Sequence, residues 1–207
     1  MASTVLPPRV YLASRSPRRR ELLTQIGIEF ETLIFRAPPR DDLDVSEEVL
    51  PGEDAATYVQ RVALAKAEGG LARLRWRSLH YQPVLSADTT LDLDGEIIGK
   101  PEDADHARAI LRRLSGRSHR VLTAVAVADR ERMAHRLSIS TVTFRTLSDM
   151  DIDHYIASGE PFDKAGAYAI QGRAGAFVRE IHGSYSGIVG LPLFETAELL
   201  AEFGLGH

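Results

Sequence analysis

Apolar and polar positions along this chain alternate between two periods, and the changes from one to the other mark out a succession of short elements. Val10 to Ala13 form a short apolar run that predicts a strand, and Leu22, Leu23 and Ile26 follow at helical spacing up to a closing Gly27. Phe30 to Ile34 predicts a second strand. From Asp54, an N-cap residue, Tyr58, Val59, Val62, Ala63 and Ala67 fall on one helical face, with Gly69-Gly70 as the expected end. Val84 and Leu85 read as the end of a buried strand. Asp94-Gly95, set between Leu91 to Leu93 and Glu96 to Ile98, is a strong hairpin signal.

Further on, Glu102 to Leu114 predicts an amphipathic helix with Ala107, Ile110, Leu111 and Leu114 inward and Ser115-Gly116 as its stop. Two strands come next: Val121, Thr123, Val125 and Val127 alternate in one, and Leu137, Ile139, Thr141 and Thr143 in the other, around a turn at Asp129 to Arg132. Ser148 opens a helix through Ile152 and Tyr155 to Gly159. Phe177 to Ile181 predicts a strand, Gly183 to Gly187 a flexible turn, and Leu191 to Phe203 a last helix with Pro192 early and Gly204 as its cap. Helices and strands intermix, with antiparallel hairpins beside possible crossovers, so the fold class expected is α/β or α+β with a mixed sheet and flanking helices.

Composition narrows this picture without redirecting it. The 207 residues suit one domain over 1–207, in one body or in two lobes around a cleft, and 44% hydrophobic content is ample for a packed core. There is no internal repeat or clear linker. Cysteine is absent, which excludes disulfides and thiolate zinc sites and is compatible with a reducing cytosol, so a cytoplasmic protein is expected. No apolar run approaches the roughly 20 residues of a membrane span, and the N-terminus lacks a signal-peptide core. With 25 Lys and Arg against 29 Asp and Glu, the formal charge of −4 argues against a non-specific binder of duplex nucleic acid.

The chemistry-bearing positions gather where the periodic pattern breaks. Asp88 falls where the predicted core strand gives way to the hairpin, with Thr89 beside it and Lys100 returned toward it; magnesium binding or proton abstraction near a phosphate is one reading, a solvated strand-end carboxylate the other. Ser16 is a natural N-cap and Pro17 suits the first helical position, so the helix N-terminus offers free N–H groups to an anion. Arg19 shares the inward face of Leu22 and Leu23, while Arg20 and Glu21 turn away. Phosphate binding there competes with ordinary capping of a basic helix. Lys66 breaks the apolar stripe four residues after Val62, either as a snorkelling stem or as a cation aimed at a phosphate pocket. Phe35 to Asp54, rich in proline and acid, reads as a long surface loop in which Glu47 and Glu48 are either a solvated charge run, the commoner case, or acids that reach a metal or a base. Glu160 to Gly172 reads as a second binding loop.

Several motifs are missing. There is no G-x-x-x-x-G-K-[ST], no dinucleotide fingerprint at Gly166, Gly172 and Gly175, no H-E-x-x-H among the seven histidines and no G-x-S-x-G elbow. What remains suits a metal-assisted reaction at a phosphate ester or anhydride, where positioning and charge neutralisation dominate.

Seven blocks taken in order resemble the Maf family of nucleoside triphosphate pyrophosphatases: Leu12-Ala-Ser-Arg-Ser-Pro-Arg-Arg-Arg-Glu-Leu-Leu23, Ala63-Leu-Ala-Lys-Ala67, Ala87-Asp-Thr89 with Gly99-Lys-Pro101, Ser115-Gly-Arg-Ser-His119, Asp163-Lys-Ala-Gly-Ala-Tyr168, Gln171-Gly172 and Val189-Gly-Leu-Pro192. The resemblance implies hydrolysis of a nucleoside triphosphate to the monophosphate and pyrophosphate, with a divalent cation, Mg2+ or Mn2+, on an α/β fold with a central cleft. Asp88 then resembles the catalytic proton acceptor, also placing the metal with Glu47. Ser14, Ser16, Arg19, Lys66, Lys100 and Lys164 would hold the substrate. Spacing from Pro51 favours Glu47 as the acidic residue, with Glu48 the alternative. Arg18, Thr89 and Gln171 resemble the trio of the dTTP/UTP subgroup rather than that of the 7-methyl-GTP subgroup, and a homodimer is implied as the partner state. A nucleotide-binding role in cell division, with hydrolysis incidental, is the other reading the family carries.

Overall fold

A computed structural model describes residues 9–34 and 45–205. A seven-stranded sheet runs in the order β2-β1-β3-β5-β6-β7, with β4 also paired to β3. The strands are β1 (Val10–Leu12), β2 (Phe30–Thr32), β3 (Val84–Leu93), β4 (Glu96–Ile98), β5 (Ser118–Ala128), β6 (Met133–Phe144) and β7 (Val178–His182). β1 is parallel to both β2 and β3, and the remaining pairs are antiparallel. The sheet is therefore mixed, as the interleaved periods predict.

Helices cover both faces. Helix α2 (Ala55–Trp76) packs Val59, Val62, Ala63 and Ala67 on Leu122, Ala124, Ala126 and Ala128 of β5. On the other face, α1 (Pro17–Gln25) and α6 (Leu193–Glu202) bury Leu22, Leu23, Leu199 and Leu200 against Leu85, Ala87, Val125 and Val127. Toward the far end of that face, α3 (Ala104–Leu114) and α4 (Asp149–Ala157) close a third cluster around Leu91, Val121 and Phe144. Because β5 is covered on both sides, Val121–Ala128 is buried without interruption, and the predicted in-and-out alternation describes which helix each residue meets.

Several expectations hold in detail. Asp54 caps α2 by accepting from the Ala56 and Thr57 amides, Ser148 and Asp151 form a reciprocal capping box on α4, and Asp94 (φ 57°) and Gly95 (φ 87°) make the tight β3–β4 turn. Others are corrected. Helix α2 does not stop at Gly69-Gly70 but continues to Trp76, because Gly70 is where the helix crosses β3: a Cβ there would lie 2.6 Å from Val84 Cγ1. The predicted turn at Gly183 to Gly187 contains a short helix, α5 (Tyr185–Val189), capped by Ser184 Oγ on the Gly187 amide. Pro192 stands at the N-cap of α6, so that helix starts at Leu193 rather than Leu191. Most consequential, Val84 and Leu85 open β3 instead of ending a strand, so Asp88 lies in mid-strand.

The sheet has an internal gap beside that residue. β3 pairs with β1 at Val84 and Leu85 and with β4 at Leu91, Asp92 and Leu93; over Ser86–Thr90 its only paired neighbour among the described residues is β5. The chain leaves β1 on one side to form β2 and later returns on the other side as β3, which makes the carboxyl end of β1 a topological switch point. Ligands of open α/β sheets settle in such crevices.

Candidate active site

The gap opens into a cleft of about 640 Å³, the size of a small-molecule site, walled by the Ser14–Arg19 turn, the loop before α2, mid-β3, Lys100 and the Asp163–Gln171 segment. Side chains alternate across a strand, so Asp88 faces α2 and Thr89 faces α1 and α5, and the cleft reaches both by passing the free edge of β3. The sequence places these two side by side; the fold puts them on opposite faces.

On the α2 face, the Lys66 ammonium lies 2.8 Å from Asp88 Oδ1 and 2.5 Å from Glu47 Oε1, and Lys100 Nζ is 4.0 Å from Glu47 Oε2. Lys66 therefore lines the cleft with its ammonium between two carboxylates. Burial pushes the Glu47 carboxyl up, but the Lys66 charge and hydrogen bond, with Lys100 and Arg19 behind them, outweigh it and hold Glu47 below the usual carboxylate range. Of the two candidate acids, Glu47 projects its carboxylate here. Glu48 offers its backbone carbonyl to Arg61 Nη2 at 2.9 Å, and Arg61 also binds the Glu53 carboxylate.

Tyr58 completes that clamp. Its hydroxyl donates to the Glu47 carbonyl at 3.0 Å, and burial together with the charges of Asp88 and Glu47 pushes the phenol up to about 12. Sequence reasoning missed both Tyr58 and Arg61, since Tyr58 sits in the apolar stripe of α2 like any core aromatic. A helix residue facing a loop of unknown path gives no local signal of what its polar end meets.

At the mouth of α1, Ser14 is buried and its hydroxyl accepts from the Ser16 amide at 3.2 Å and from Arg19 Nη1 at 3.4 Å. Ser16 stands at the N-cap without a side-chain capping bond, and Pro17 follows at the first helical position. Arg19 turns inward as its helical face predicts, donating from Nε to the Gly190 carbonyl at 2.8 Å and from Nη2 to Thr89 Oγ1 at 3.3 Å. Thr89 Oγ1 also shares a 2.9 Å hydrogen bond with Thr123 Oγ1, and Thr123 donates to the Gly187 carbonyl at 2.7 Å. The hydroxyl is thus fixed by Thr123 of β5, which the sequence did not flag, and the guanidinium by Gly190, which it marked only within the Val189-Gly-Leu-Pro192 block.

The remaining predicted residues reach the cleft wall with different commitments. Arg18 lines it; burial pushes the Asp163 carboxyl up, but the Lys164 hydrogen bond and charge, with the Arg18 charge behind them, hold it below the ordinary carboxylate range. Gln171 is exposed on the wall. Lys164 lines the cleft too, but its ammonium is bound to the Glu160 carbonyl at 3.1 Å and to the Asp163 carboxylate, apart from the Lys66 group. Tyr168, another wall residue that sequence reasoning did not single out, is anchored from behind by His119 Nε2 at 2.8 Å.

The carboxylates of Asp88 and Glu47, converging on one cation, are hard oxygen donors of the kind a divalent ion would take. Among the described residues no cluster of three or more His, Cys, Asp or Glu could hold a metal unaided, and no helix is long and apolar enough to cross a membrane.

The chain is 64% identical over 197 residues to a dTTP/UTP pyrophosphatase of Aromatoleum aromaticum, covering 95% of this chain and 96% of that protein. A protein of the same name from Dechloromonas aromatica is 59% identical over 95% of this chain and 98% of its own length, and one from Ralstonia nicotianae is 58% identical over 98% of each. The solved structure of the Staphylococcus aureus Ham1 protein overlaps it with a TM-score of 0.44 at 16% identity, over 68% of this chain and 72% of that one. The family model described as Maf-like protein matches residues 9–203, and with that coverage and those identities the chain belongs to the Maf-like family.

Proposed function

We propose that this protein hydrolyses nucleoside triphosphates, dTTP and UTP foremost, to the monophosphate and pyrophosphate. The observation that carries the reading is the meeting of Asp88, Lys66 and Glu47 in a cleft whose opposite lip is the Ser14–Arg19 helix mouth. The relatives named dTTP/UTP pyrophosphatase, together with Arg18, Thr89 and Gln171 on the cleft wall, support the choice of base.

Asp88 accepts the proton of the attacking water as the anhydride bond breaks and pyrophosphate leaves. Ser16, the free amides at the start of α1, Arg19, Lys66 and Lys100 meet the charge on the phosphates, and Ser14 holds the turn that presents them. Asp88 and Glu47 would hold a divalent cation, Mg2+ or Mn2+, which would supply charge neutralisation at the phosphoryl oxygens. A guanidinium, a hydroxyl and a carboxamide suit the carbonyls and imide of a pyrimidine, and a base that leaves such groups unpaired is rejected.

Pyrophosphate release measured over dTTP, UTP, CTP and 7-methyl-GTP tests the reading, with dTTP and UTP expected to lead; a lead by 7-methyl-GTP overturns the base assignment. Asp88→Asn should lower turnover by about 10²–10⁴-fold, the usual contribution of a positioned base, while nucleotide binding persists. Turnover retained in purified Asp88→Asn removes Asp88 from the chemistry.

A further inference from the structure

We propose that Lys66 holds the place of the divalent cation between Asp88 and Glu47, so that the cleft takes the metal together with the phosphates of a nucleotide and not alone. This rests on the hydrolase reading for the identity of the ligand, but the argument for displacement is geometric.

The two carboxylates point at a single spot, and an ammonium already stands there, 2.8 Å from one and 2.5 Å from the other. A divalent ion bound to both needs oxygen ligands at roughly 2.0–2.1 Å for magnesium, so ion and ammonium cannot share the position. Lys66 is not a loose surface side chain that drifts away at no expense. It is only 14% exposed, and its stem rises from the α2 stripe that packs Val59 and Val62 into the core.

Charge points the same way. Lys66, Lys100 and Arg19 face Asp88 and Glu47, so the site is net positive before any ligand arrives, and a dication entering alone would add to that excess. No third carboxylate or histidine among the described residues joins the pair to offset it. A triphosphate brings both the negative charge and the missing oxygen ligands. It also gives the displaced ammonium somewhere to go, since Lys66 then lies beside the phosphates it can pair with. Metal and nucleotide are therefore coupled, each raising the affinity of the other by the same factor.

The test uses Mn2+ alone as probe, with binding to the full chain followed by calorimetry or by the paramagnetic signal of the free ion. Wild-type protein should bind Mn2+ weakly, and a non-hydrolysable nucleoside triphosphate analogue should tighten it. Lys66→Met should tighten Mn2+ binding without nucleotide by about tenfold or more, within the usual span of inter-site coupling. Lys100→Met removes a neighbouring positive charge without vacating the gap and should tighten it clearly less. Lys66→Met combined with Glu47→Gln should lose the gain.

A cooperatively melting Lys66→Met protein that binds Mn2+ no tighter than wild type overturns the proposal, as does an equal gain from Lys100→Met. So does a wild-type affinity for Mn2+ that the analogue leaves unchanged, a measurement that needs no variant to fold. Turnover enters none of these readouts, so failure of the hydrolase reading would appear separately, as absent pyrophosphate release from every nucleotide.

Discussion

His119 shows how one buried side chain ties the cleft wall to the core. Its Nε2 meets the Tyr168 hydroxyl, its ring packs edge-on against Phe144 and Tyr168, and burial lowers its pKa from the ordinary 6.5 to about 4. Above pH 6.5 the ring is neutral in both folded and unfolded chains. Below that the unfolded chain takes up a proton that the folded one refuses until about pH 4, so stability falls across this window by roughly 3 kcal/mol. Urea denaturation at pH 7 and pH 4.5 should show a larger loss for wild type than for His119→Phe combined with Tyr168→Phe, which keeps the aromatic packing without the titrating ring; equal losses refute the assignment. Lys66 and Tyr58 mark the limit of what is legible residue by residue. A lysine in an apolar stripe is a visible anomaly, and the fold explains it with two carboxylates. A tyrosine in the same stripe is no anomaly at all, although its hydroxyl holds the loop that carries Glu47.

At the scale of elements, the readings that held rest on chemistry confined to a few neighbouring residues. The Asp94-Gly95 turn, the Asp54 and Ser148 caps and the apolar face of α3 are of this kind. Those that failed depend on what an element packs against. Gly69-Gly70 resembles a helix end, yet Gly70 is the point at which α2 rests on β3, with Val84 Cγ1 where a Cβ would stand. Gly70→Ala should therefore destabilise the protein by about 1–3 kcal/mol through overpacking, in place of the gain of roughly 1 kcal/mol that alanine brings to an exposed helix interior. A denaturation curve shifted to higher stability would remove this account of the glycine. The same crossing sets the distance between Lys66 on α2 and Asp88 on β3, so it bears on the site as well as the core. The polar middle of Val84 to Leu93 reads as a strand end, yet it lies in mid-strand, because residues that face a cleft from mid-strand carry the composition of a loop.

The whole molecule brings together cleft residues far apart in the chain, with Arg19 meeting Gly190 and Thr89 on one face of the sheet. Such an arrangement is stabilised by whatever bridges it. A nucleoside triphosphate with Mg2+ at about 100 times its dissociation constant should add about 2.7 kcal/mol. For a chain of this size that raises Tm by roughly 5–10 °C. Differential scanning calorimetry with and without dTTP analogue checks this, and an unmoved Tm contradicts binding in the cleft. Beneath the cleft lies the stretch of the β3 edge that no strand among the described residues pairs. The Tyr11 amide donates to the Pro83 carbonyl and the Ala13 amide to the Leu85 carbonyl, so by alternation the backbone groups of Ala87 and Thr89 turn to the same side, past the end of β1 and before the start of β4. An unpaired edge in a sheet is ordinarily a template on which another extended chain can build, and proteins go to some length to hide it. Here β1 and β4 close off both ends, leaving a notch too short to seed strand addition, with Ala87 buried within it and Thr89 at the cleft wall.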